Sequence, residues 1–242
     1  MNTPATPPPI PPSPFTFEPM AEKPALGSTL QTLLKHPGRV LHELHHGSSG
    51  ALATWLMVLS LVGLTIYGVV IGTLVGGSQL WIAPAKLVLG TLFAVVICLP
   101  SLYIFICLGG TDVRFRTVCG VLLAAVCLSS TLLVGFAPVA WIFAQSTDSV
   151  PLMGALHLLF WLIGLGFGLR LLFVLSRHLG TVTSGHLLIW SLIFVLVCLQ
   201  MTTTLRPIVG RSDRLLPEEK KFFLTHWADS LSGREATETK PR

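Results

Sequence analysis

An all-α fold, a polytopic transmembrane helix bundle of about five spans, is the class that three features of this sequence predict. First, 52% of the 242 residues are hydrophobic and only 11% are charged, against roughly one-quarter charged in a soluble globular domain. Second, the charges leave long gaps: no Asp, Glu, Lys or Arg occurs between Glu43 and Lys86 or between Arg116 and Asp148. Third, five segments hold the about 20 apolar residues that a helix needs to cross a hydrocarbon core of about 30 Å: 51–75, 87–108, 118–143, 152–175 and 187–205. They are apolar on every face instead of alternating. Since lipid admits only helices or closed barrels, helices are expected.

The first 24 residues contain nine prolines and almost no charge, a composition that favours extended polyproline conformations and cannot bury a core. A disordered Pro-rich tail is expected over 1–27, with no cleavable signal peptide, because a basic start followed by an apolar run is missing. The first span then serves as an uncleaved anchor. From Ser28 the pattern changes. Leu30, Leu33 and Leu34, then Val40, Leu41 and Leu44, recur at helical spacing, with Pro37 breaking or kinking the helix between them. A juxtamembrane amphipathic segment is expected over 28–50, lying on the membrane surface with Lys35 and Arg39 reaching headgroups.

Within the bundle, expected over 51–205, Pro84 suits a first helical position, and Pro100 and Pro138 suit kinks in the second and third spans. Gly164, Gly166 and Gly168 crowd the fourth span, where small residues let helices approach closely. The C-terminal tail, 206–242, begins with Arg206 and Pro207, which end the last span. Beyond Pro217 it carries an amphipathic helix with Glu218 and Glu219 in the first turn and Phe223, Leu224, Trp227 and Leu231 on one face.

Lys and Arg in short loops favour the cytoplasm. Lys35 and Arg39, Arg114 and Arg116, and Arg177 fall on one side, while the opposite short loops carry only Lys86. The N-terminus is therefore expected inside and the C-terminus outside. Arg206, Arg211, Arg214, Lys220 and Lys221 after the last span argue the other way, and a re-entrant second span broken at Pro100 would bring both ends inside. The net charge of +5 comes from residues flanking the spans, which suits anionic lipid headgroups and no nucleic acid.

No reaction is written in the motifs. His42-Glu43-Leu44-His45-His46 matches the HExxH of zinc metalloproteases, where two histidines one turn apart hold zinc and the glutamate activates water. Gly47 follows at once, however, and a catalytic site needs a third protein ligand. A chance His-rich turn, with weak metal binding by His36, His42, His45 and His46 as the alternative, is the simpler reading. Arg170 is the one charge placed clearly inside a span, near enough to its end to snorkel. His157 and His186 look peripheral. No span holds an Asp or Glu, the groups that proton and cation pathways use. Cys98, Cys107, Cys119, Cys127 and Cys198 all lie in expected spans and read as small packing residues. No metal or other cofactor is called for.

Several stretches resemble an uncharacterised group of bacterial polytopic inner-membrane proteins: Tyr67 and Gly68 with Gly72, Gly76, Gly77 and Gln79; Ala83-Pro84-Ala85-Lys86; Leu99-Pro100-Ser101-Leu102-Tyr103; and Gln200 followed by Leu205-Arg206-Pro207 and Gly210. The pattern is also distantly similar to the Yip family of five-span membrane proteins, which carry a proline-containing amphipathic stretch before the first helix. That resemblance implies an adaptor in membrane traffic and shaping, without a catalytic centre. Arg170, Lys86, Pro100, Gln200, Arg206 and Pro207 are the candidate structural or functional residues. The expected role is a non-enzymatic scaffold or adaptor in the inner membrane, contacting lipid and other membrane proteins. A transporter or channel for a small solute is the alternative, and a zinc membrane protease comes third.

Overall fold

A computed structural model of the chain describes residues 17–47, 50–73, 77, 79–146, 150–180 and 184–204. They form seven helices: α1 (Leu26–Lys35), α2 (Pro37–His46), α3 (Gly50–Thr73), α4 (Gln79–Leu108), α5 (Phe115–Ser146), α6 (Val150–His178) and α7 (Ser184–Thr204). The described residues contain no strand. Helices α3 to α6 are each long and apolar enough to cross a membrane, and α7 adds a shorter apolar helix. Arg206, Pro207 and the amphipathic helix expected beyond Pro217 lie outside the described residues.

Helix α5 is the centre of the bundle. It packs against α3 on one side and α6 on the other, α3 packs in turn against α4, and α4 against α7. From Val121 to Cys127 every residue of α5 is buried, as expected for a helix that is apolar all round and surrounded by others. Helix α4 instead turns Phe93, Val96, Ile97, Ile104 and Leu108 outward. Large exposed apolar side chains in such a row suit hydrocarbon as the solvent.

The second span starts earlier than the sequence reading placed it. Leu80 to Ala83 are apolar, and in lipid every backbone group needs an internal partner, so the helix begins at Gln79. Pro84 is consequently inside α4 and not at its first position, and Lys86 belongs to the helix instead of a loop. Both α4 and α5 continue through Pro100 and Pro138, and α4 makes no re-entrant break. Glycines close two helices: Gly110 (φ 86°) and Gly180 (φ 102°) take the left-handed conformation, and their N–H groups donate to the carbonyls of Cys107 and Arg177 at 3.0 and 3.1 Å.

Pro37 divides the juxtamembrane segment as expected: α1 ends at Lys35 and α2 starts on the proline, where its missing N–H costs nothing. Much of the apolar face of the two helices rests on the bundle, while Leu34 stays exposed. Leu33, Val40, Leu41 and Leu44 are buried in the main core. Leu44 fills the space beside Gly120 of α5, and its carbonyl accepts a hydrogen bond from Thr117 Oγ1 at 3.3 Å. The expected tail is attached over its last part. Phe17 sets its ring edge-on against His42, Glu18 pairs with Arg39 at 3.1 Å, and Leu26 and Gly27 already belong to α1.

Candidate functional site

The residues singled out from the sequence do not converge. Arg170 is exposed on α6, beside the equally exposed Phe167 on the same helical face. About 12 Å of helix separates it from His178, at 1.5 Å per residue. Pro100 is exposed on α4 and Gln200 is half-buried on α7. Lys86 is the opposite of a loop residue, with 1% of its surface exposed. Its neighbours Ala83 and Leu87 belong to a compact apolar cluster with Leu64, Tyr67, Ile71 and Phe160. Lys86 is thus the buried charge and Arg170 the exposed one, because the sequence shows that a charge is inside a helix but not which face a neighbouring helix covers.

That cluster surrounds a polar pair the sequence reading missed. Tyr67 of α3 and His157 of α6, ninety positions apart, meet through a hydrogen bond of 3.1 Å between the phenol oxygen and imidazole Nδ1. Their rings stand nearly perpendicular, at 84°. Tyr67 is 1% exposed and His157 5%, so His157, although near the end of its span, is covered by neighbouring helices. The pair ties α3 to α6 at the end of the bundle away from α1 and α2. Nδ1 accepts from the phenol when the ring proton is on Nε2, and Nε2 has no hydrogen-bond partner. Neither side chain carries a separation signal that would pair them.

At the other end, α2 carries the HExxH stretch. His42 and His46 stack with centroids 5.0 Å apart and planes 27° apart, and Phe17 sets its ring edge-on to both. His45 meets His46 edge-on at 4.5 Å. The helix stops at His46, with the Gly47 N–H donating to the Glu43 carbonyl at 2.9 Å. Among the described residues no group of three or more His, Cys, Asp or Glu is placed to hold a metal. His45 is held below its ordinary pKa of 6.5, first by burial, then by His46, Arg114 and His42.

Elsewhere polar groups fasten helices together. Trp190 of α7, fully buried, shares its indole N–H between the Cys98 carbonyl and Ser101 Oγ of α4, each at 3.1 Å. All five cysteines are free, with Cys98, Cys127 and Cys198 buried. Where α3 to α7 converge, Leu64, Thr91, Ser130, Trp161 and Phe194 help to line a space of about 30 Å³, room for about two waters. The hydroxyls in its wall are committed to their own helices: Thr91 to Leu87, Ser129 to Ala125 and Ser130 to Cys127, at 2.8 to 3.0 Å.

The helices define the class: this is an integral, multi-pass membrane protein. Compared with protein-family models, curated proteins and solved structures, the chain matches none.

Proposed function

We propose that the protein is a non-enzymatic membrane scaffold or adaptor of a bacterial inner membrane. The observation that carries this reading is the space at the convergence of all five apolar helices, which is about 30 Å³ and lined mainly by apolar side chains, its three hydroxyls already bonded to their own backbones. A solute pathway needs polar groups turned toward its passenger. Two of the buried polar contacts instead hold one helix to the next, Trp190 to α4 and Tyr67 to His157. The α1–α2 cap, seated on one end of the bundle, offers a folded polar face to a soluble or membrane-bound partner. The resemblance to five-span Yip proteins supports the same role.

By the positive-inside rule the cap, Arg114, Arg116 and Arg177 face the cytoplasm. Single cysteines at those arginines, in a background lacking the native thiols, should resist an impermeant thiol reagent applied to intact cells. The function itself is tested by reconstitution beside affinity purification from native membranes. Expected are vesicles no leakier to ions and small metabolites than protein-free ones, and a protein partner recovered reproducibly until the cap is disrupted. Saturable solute uptake with no such partner would establish a transporter instead.

A further inference from the structure

The polar side of α2 is covered by a stretch of the chain itself. Arg39, His42 and His46 follow one another at three and four residues, so they form one stripe along the helix, opposite the buried Val40, Leu41 and Leu44. Phe17 sets its ring edge-on to both imidazoles, with centroids 5.0 and 5.6 Å away. Beside it, Glu18 Oε2 accepts a hydrogen bond from Arg39 Nη2 at 3.1 Å. Glu43 is one turn along from Arg39, yet its carboxylate folds beside Gly47, and Arg39 takes a carboxylate from 21 positions away instead.

Two features mark Phe17 and Glu18 as a strap that can come off. Helices α1 and α2 are fixed from beneath by the buried Leu33, Val40, Leu41 and Leu44, whereas the Phe17 ring is 45% exposed and the Glu18 side chain 59% exposed. An exposed ion pair and a half-covered ring contribute little, so these two residues detach without unseating the helices. The grip is also incomplete. A guanidinium holds a carboxylate most strongly through two parallel N–H donors, but Glu18 uses Nη2 alone, and the buried Arg39 Nε has no partner. His42 Nδ1, on the same stripe, is likewise buried and unpartnered.

We infer that the Arg39–His42–His46 stripe is a docking site for a partner protein's segment carrying an aromatic ring beside a carboxylate, and that Phe17 and Glu18 occupy it as an autoinhibitory strap. The partner's carboxylate takes both Nε and Nη2 of Arg39, and its ring replaces Phe17 against the imidazoles. Met20, packed against the core, keeps the displaced strap close by, ready to return. The biological role of the partner rests on the adaptor reading. The binding itself does not, since the stripe can dock a peptide even in a protein found to transport a solute.

The test uses the full-length protein in phosphatidylcholine nanodiscs, a synthetic peptide Thr-Phe-Glu-Pro copied from residues 16–19, and the His42 and His46 imidazole signals read by NMR. Phe17→Ala with Glu18→Gln, which empties the stripe, should bind the peptide about tenfold more tightly than the wild type, whose tethered strap competes at high effective concentration. Adding Arg39→Gln to that variant should abolish binding, and Arg39→Lys should restore only part of it, because an ammonium lacks the planar pair of donors. Lys35→Gln, an exposed cation of α1 off the stripe, should change nothing. Amide exchange of α2 shows that each variant keeps the helix folded. Equal binding by the wild type and the emptied variant, or binding that survives Arg39→Gln, overturns the site. Pairing of two wild-type copies that Arg39→Gln abolishes would give the stripe to a second copy's strap and overturn the separate partner.

Discussion

The backbone of Pro84 on α4 occupies the space that a side chain at Gly68 on α3 would need. Pro84 lacks the N–H that would bond back along α4, and the residue facing it lacks a side chain, so the two helices approach backbone to backbone. Gly68→Ala would force α3 and α4 apart, and overpacking of this kind costs about 1–3 kcal/mol. The variant should melt earlier in detergent than the wild type. Gly135→Ala, at a position with open space around it, should not; equal melting of all three proteins would dismiss the contact.

The glycines of α6 divide by face. A side chain at Gly168 would meet the Ala125 carbonyl at 2.5 Å and one at Gly164 the Ser129 carbonyl at 3.2 Å, while Gly166 faces open space. Gly168→Ala should therefore destabilise the α5–α6 pairing, Gly164→Ala less so, and Gly166→Ala not at all. Thermal unfolding of the three variants in one detergent ranks them, and a Gly166 variant as damaged as the Gly168 variant contradicts the packing.

Tyr67→Phe removes the phenol that bonds His157 Nδ1 and leaves a buried imidazole without that partner, at a cost of about 1–3 kcal/mol. Replacing both groups by apolar residues of similar shape is expected to cost less than the two single changes added together. A double-mutant cycle with His157→Phe measures the difference. Strict additivity would mean that the two rings do not interact.

Docking of α2 should weaken in mild acid. His45 has a folded-state pKa below 6.5, so the unfolded or undocked segment takes up its proton at a higher pH than the docked one. The stability linked to this group is present above 6.5 and is lost as pH falls from there through the lower folded value. Amide exchange of α2 in nanodiscs should accelerate across that window, and His45→Gln should flatten the response. If the variant keeps the full pH dependence, another group is responsible.

Some of this was legible in the residues themselves. The apolar lengths and charge gaps announce the long helices, Pro37 marks the break between α1 and α2, and Gly47 directly after His46 marks the end of α2. The site was less legible. His157 carries no mark of its bond to Tyr67, and Lys86 reads as a loop charge until α4 is seen to start at Gln79.

By itself the sequence determined that the chain is helical and enters the membrane, because hydrophobicity and proline geometry act residue by residue and survive without knowledge of neighbours. Only the tertiary structure decided that Lys86 is buried while Arg170 is exposed, that Tyr67 meets His157, and that much of the apolar face of α1 and α2 rests on the bundle. The physical reason is that a span apolar on all sides has no stripe to say which face meets another helix and which meets lipid. That choice is made by side-chain fit between helices, as at Gly68 and Pro84.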